Sequence, residues 1–135
     1  MSNSLIMMTT TTANSVLANG IVPLTTISRR RGQVINGGTN SVLLGRPGYY
    51  KVNASITFTA PAAGTISVKL QKSGTDVVGV TASTTITTAT TEVRTLNISG
   101  IVRVFCNEGF STITLVNSGL AMTTSNVEMD IEYLG

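Results

Sequence analysis

The sequence predicts an all-β protein, and three observations carry that prediction. Tyr50, Val52, Ala54, Ile56, Phe58 and Ala60 alternate with Lys51, Asn53, Ser55, Thr57 and Thr59. Successive side chains of a strand point to opposite faces, so this stretch has one apolar face and one wet face. The same alternation returns at Ile66, Val68 and Leu70, at Leu96, Ile98, Val102 and Val104, and at Val127, Met129, Ile131 and Tyr133. Between these runs stand Gly, Asn and Pro, and no segment has a helical period. Roughly eight to ten short strands result, which reads as an antiparallel sandwich or jelly roll, with a closed barrel as the alternative.

Composition agrees with that class. Thr, Ser, Val and Ile dominate, and these residues favour strands. A chain of 135 residues is one domain able to bury a core without staples. Charged residues make up only 11% against 41% hydrophobic, which excludes a disordered chain. So little surface charge protects a monomer poorly against association, and points to an oligomer or a larger assembly.

The net charge of +3 comes from Arg29, Arg30 and Arg31, and without that run the chain is balanced. Nucleic acid is therefore an unfavoured partner. With no His, the chain lacks an imidazole base and a nitrogen ligand for zinc. One cysteine, Cys106, excludes an internal disulfide. Leu5, Ile6, Met7 and Met8 are too short a run for a signal core or a membrane span, so synthesis in the cytoplasm without secretion is expected.

Taken in order, residues 1–20 are polar and Thr-rich, with residues 5–8 as one apolar island. They read as a flexible leader or as an extended arm that packs on a neighbour; residues 21–135 read as the sandwich domain. Residues 21–27 form the first expected strand, ended by the arginine triplet. Short strands are expected at 33–35 and 41–44, separated by Asn36-Gly37-Gly38. The strands at 48–60 and 64–70 read as an antiparallel hairpin about Pro61-Ala62-Ala63-Gly64. Residues 81–91 read as an exposed edge strand or a loop. Gly100 suggests a bulge in the strand through Leu96 and Val104, and two further strands run to the end of the chain.

The chemical features weigh against catalysis. Glu128, Asp130 and Glu132 share one face of the last strand, about 7 Å apart at two-residue spacing. They could hold calcium or serve a glycosidase. No calcium-loop spacing and no Trp platform accompanies them, so pairing with basic residues is the expectation. The arginine run at 29–31 reads as a solvated turn or a partner-docking patch. Asn53-Ala54-Ser55 and Asn97-Ile98-Ser99 match glycosylation acceptors but lie inside expected strands. Cys106 reads as a buried, inert thiol. No metal and no cofactor is expected.

Gly48-x-Tyr50-x-Val52 opening a long strand, then Ser67-Val68-Lys69-Leu70 and a polar turn, resembles the tumour necrosis factor and complement globular-head superfamily. The run from Phe110 to Gly119 and the closing strand from Val127 to Leu134 resemble its bacterial and bacteriophage members. The resemblance covers about residues 21–134. It departs from the animal pattern at Asn107-Glu108-Gly109 and in its thin aromatic content. It implies a ten-stranded jelly roll, a homotrimer about a threefold axis and no catalytic site. A structural protein of a virus particle is then the first functional expectation: a trimeric bacteriophage capsid decoration or head-fibre protein, located in the virion. The alternative is a receptor- or glycan-binding head of a tail fibre or surface filament. The expected assembly contacts are Leu5, Ile6, Met7, Met8, Arg29, Arg30 and Arg31, with a capsid or other virion protein as partner.

Overall fold

The computed structural model describes residues 4–135, and among these there is no helix, hence none long and apolar enough to cross a membrane. The strands are β1 (Leu5–Thr10), β2 (Asn14–Val16), β3 (Thr26–Arg31), β4 (Ile35–Gly38), β5 (Ser41–Leu44), β6 (Gly48–Thr59), β7 (Gly64–Lys72), β8 (Thr75–Ile86), β9 (Arg94–Val104), β10 (Ser111–Asn117) and β11 (Met122–Tyr133). They build two antiparallel sheets. One runs β3-β1-β11-β6-β9, with β2 also on β11; the other runs β4-β5-β10-β7-β8. The all-β jelly-roll expectation holds, with eleven strands among the described residues.

The alternating runs bury the faces that the sequence indicates. Tyr50, Val52, Ile56 and Phe58 of β6 and Ile66, Val68 and Leu70 of β7 are all fully buried. The expected hairpin between those strands does not form. β6 pairs with β11 and β9, β7 pairs with β10 and β8, and residues 60–63 carry the chain from one sheet to the other. Alternation decides which side chains face inward; it is silent on whether two such faces lie side by side or oppose each other. Here they oppose, and the core lies between.

The N-terminal segment also departs from expectation. Residues 5–10 are not an arm beside the domain: β1 sits inside the six-stranded sheet, with β11 on one side and β3 on the other. Ile6 and Met8 are part of the core. β2 continues along β11 at Met122–Thr124 after a short break. The part of the expected arm at residues 1–3 lies outside the described residues.

Asn117, fully buried, docks the next segment. Its Nδ2 donates to the carbonyls of Val16, Leu17 and Leu120, and its Oδ1 accepts from the Gly119 amide. Its backbone N–H donates to Gly20 and its carbonyl accepts from Asn19. Asn117→Ala should therefore leave buried carbonyls without donors and cost about 1–3 kcal/mol in urea unfolding. An unchanged midpoint would show that water replaces the amide.

Gly100 is no bulge, since β6 and β9 keep their register through it. A Cβ there would stand 2.5 Å from a Val80 methyl, so glycine admits the close approach of β8 that closes this edge of the sandwich. Residues 81–86 do lie in the edge strand β8. The turn that follows is gathered by Glu92. Its carboxylate accepts from the Thr87 and Thr88 amides and the Thr87 hydroxyl, and pairs with Arg94. These donors hold its carboxyl down at about 2.

Candidate functional site

The outer face of the six-stranded sheet carries the most distinctive chemistry, and β11 runs through its middle. Val127, Met129 and Ile131 point into the core, so Glu128, Asp130 and Glu132 point out. Cross-strand partners share a face. Glu128 therefore lies between Thr9 of β1 and Ser55 of β6, Asp130 between Met7 and Asn53, and Glu132 between Leu5 and Lys51. Beyond β6 the rows end at Asn97, Ser99 and Ile101 of β9. The two glycosylation-like triplets thus face each other across β6 and the edge strand β9, Asn53 opposite Ser99 and Ser55 opposite Asn97.

Two shallow clefts flank the acidic row. One, of about 310 Å³, is lined by Met7, Arg29, Lys51, Asn53, Asp130 and Glu132. The other, of about 270 Å³, is lined by Asn53, Ser55, Asn97, Ser99 and Glu128. The expected pairing of this row with basic residues fails at Glu128. Its Oε1 is buried and has no hydrogen-bond partner. Burial first, and then the adjoining Asp130 carboxyl, push the Glu128 carboxyl up to about 8. Asp130 accepts a long hydrogen bond, 3.5 Å, from the Asn53 amide. Among the described residues no group of three carboxylate or thiol side chains converges as a metal site would require.

The expected contact residues divide between the two faces. Ile6 and Met8 point into the core and are unavailable to a partner. Leu5 and Met7 point outward and are half-buried. Arg29 and Arg31, opposite Met7 and Leu5, share their outward face. Arg30 turns to the other side, where it donates to the Ile35 carbonyl and to Asn36 Oδ1 and so ties β3 to β4. The triplet is not a continuous basic stripe.

A second patch had no signature in the sequence, because its members are far apart in the chain. The Arg103 guanidinium lies 5.4 Å from the Tyr49 ring centroid and 4.5 Å from that of Phe105, and Lys72 lies 5.3 Å from Phe105. Glu108 anchors it by pairing with Lys72 at 3.0 Å and accepting the Phe105 amide, contacts that hold its carboxyl below the usual range. In the same turn Cys106 is exposed, not buried as expected: Phe105 and Cys106 lie past the end of β9, where the chain leaves the sheet. Cations occupy the aromatic faces that a sugar would stack on.

Neither a family model nor a curated protein sequence matches the chain. Solved structures do. PRD1 vertex protein P5 matches with a TM-score of 0.66 at 11% identity, over 100% of this chain and 99% of that one. The Eiger TNF of S. frugiperda matches with a TM-score of 0.71 at 12% identity, over 100% and 94%. The globular domain of zebrafish complement 1qA protein matches with a TM-score of 0.63 at 10% identity, over 98% of each. The fold is therefore the jelly roll of the tumour necrosis factor and complement globular heads, as the resemblance implied. At these identities the likeness concerns the fold alone.

Proposed function

We propose that this chain is a non-enzymatic structural protein of a virus particle, acting as a homotrimer that decorates a bacteriophage capsid or forms a head fibre. The outer face of the six-stranded sheet carries this reading. It combines half-buried Leu5 and Met7, uncharged Thr9, Asn53 and Ser55, and a buried carboxyl oxygen without a partner. A face of that kind is completed by being covered, because an unsatisfied polar atom beside apolar surface is costly in water and cheaper with a partner group. The outer face of the other sheet is different, with Lys69 and Gln71 engaging Asp76. A vertex protein among the full-length structural matches supports the virion setting.

Leu5, Met7, Arg29 and Arg31 are the assembly contacts in this reading, with a capsid or other virion protein as the further partner. The split of the arginine triplet favours protein over nucleic acid, since phosphate binding draws on a continuous row of cations. A receptor- or glycan-binding head is the second reading; the exposed Tyr49 and Phe105 favour its receptor form, since Arg103 and Lys72 cover the ring faces that a sugar would use. The test is light scattering at micromolar concentration. A mass three times that of the 14.1 kDa chain is expected, and a monomer would overturn the reading.

A further inference from the structure

We propose that Arg103, clamped between the Tyr49 and Phe105 rings, is a carboxylate-binding site for an acidic side chain of a partner polypeptide, whose neighbouring apolar residue fills the hollow beside it. The site is complete within one copy, so it stands or falls apart from the trimer reading.

The clamp fixes the cation. Tyr49 and Arg103 are partners in register on β6 and β9 and share the outward face. Phe105 approaches from just past the end of β9, and the guanidinium lies 5.4 Å from the Tyr49 centroid and 4.5 Å from that of Phe105. Rings at that range attract the cation and restrict where it can swing. Among the described residues no carboxylate pairs with Arg103 and no acceptor takes its N–H groups. A planar fork of donors without an acceptor matches a carboxylate, which takes two parallel N–H bonds.

The surroundings are held in place as well. Glu108 accepts the Phe105 amide at 2.8 Å and the Ser111 hydroxyl, and it pairs with Lys72. Lys72 also donates to the Arg103 carbonyl. The Tyr49 backbone is tied to Leu134 and Gly135. Lys72 is thus neutralised, and Arg103 remains as the unpaired charge of the cluster. A cation already held in position loses little further freedom on binding.

Beside Arg103 is a hollow of about 160 Å³, lined also by Lys72, Val77 and Ile101. Asp76 on its rim is engaged by Lys69 and Gln71. Ile101 is half-exposed, so an apolar side chain seated there buries surface on both partners. The exposed rings of the chain, Tyr49, Phe105 and Phe110, all belong to this end of the sandwich, with Phe110 against Gly45. Tyr and Arg within apolar surroundings are the usual anchors of a protein interface. Nucleic acid would draw on a row of unpaired cations, and this cluster has one. A sugar would need the ring faces that Arg103 and Lys72 cover.

The test follows the Arg103 Nε–Hε resonance of the full chain during titration with acetyl-Leu-Glu-amide. A saturable shift is expected in the millimolar range, at least about tenfold tighter than with acetyl-Leu-Gln-amide. Arg103→Gln should abolish binding, measured by the remaining backbone shifts, while its thermal melt by circular dichroism stays that of the wild type. Phe110→Ala keeps Arg103 and should keep the preference for Glu over Gln. No shift up to about 20 mM of the Glu peptide overturns the site. So does equal binding of the two peptides, or binding that survives in Arg103→Gln. Tighter binding of oligothymidylate or of N-acetylneuraminic acid also overturns it, since the occupant would then be a nucleic acid or a glycan.

Discussion

A chain that starts at Ala13, lacking β1, is expected not to fold. β1 lies between β11 and β3, and its backbone bonds to both. Without it, β3 has no neighbour in its sheet and β11 is left with an open edge over Thr10's partner Val127 and beyond. The core also loses Ile6 and Met8. Burial of two such side chains is worth about 1.5–3 kcal/mol each, and each ladder hydrogen bond adds about 1 kcal/mol net. A domain of this size holds only about 5–15 kcal/mol in total, so these losses together consume most or all of it. Circular dichroism should show no cooperative melt. A truncated chain that melts within a few degrees of the full one, and still trimerises, would restore the segment to the status of a detachable arm.

That strand was hard to read for a physical reason. Leu5, Ile6, Met7 and Met8 are apolar without a break, so the segment lacks the alternation that marks β6. A continuous apolar run is the mark of a strand covered on both faces. The structure buries Ile6 and Met8 and leaves Leu5 and Met7 half-covered, and the outward pair fits a face that awaits a second layer. The same segment therefore explains both the missed strand and the proposed interface.

Elsewhere, alternation carried most of the inward faces: β6, β7, β9 and β11 bury the residues that it marks. It cannot carry sheet membership, which depends on distant partners, so a hairpin and a crossover between β6 and β7 read alike in the sequence. The acidic row was legible as three carboxyls on one face. Its environment was not, because Thr9, Ser55 and Asn53 reach it only through pairing across the sheet. The Tyr49–Arg103–Phe105 stack was beyond reach for the same reason. Phe105 suggests an interior for its neighbour Cys106, whereas Phe105 is itself half-exposed just past the end of β9.

Phe58→Ala should lower the unfolding free energy by about 3–5 kcal/mol, the usual range for emptying a large aromatic site. Phe58 is fully buried on β6, near the point where the chain crosses between sheets. Its neighbours in register are Arg94, the first residue of β9, and Thr124 on β11, beside a register shift between Thr124 and Asn126. Phe58 has no exposure, so the loss is expected within that range. Phe110→Ala supplies the contrast, because Phe110 is 73% exposed in the loop before β10. Its removal should change stability by less than about 0.5 kcal/mol. Urea unfolding of the two variants, at one protein concentration and pH, measures the difference directly. Equal midpoints for both would mean that Phe58 does not lie in the core and that β6 presents its other face to the second sheet. A large loss at Phe110 alone would instead mark that ring as buried between copies, and would move the interface from the β11 face to the end of the sandwich that carries the β9–β10 loop.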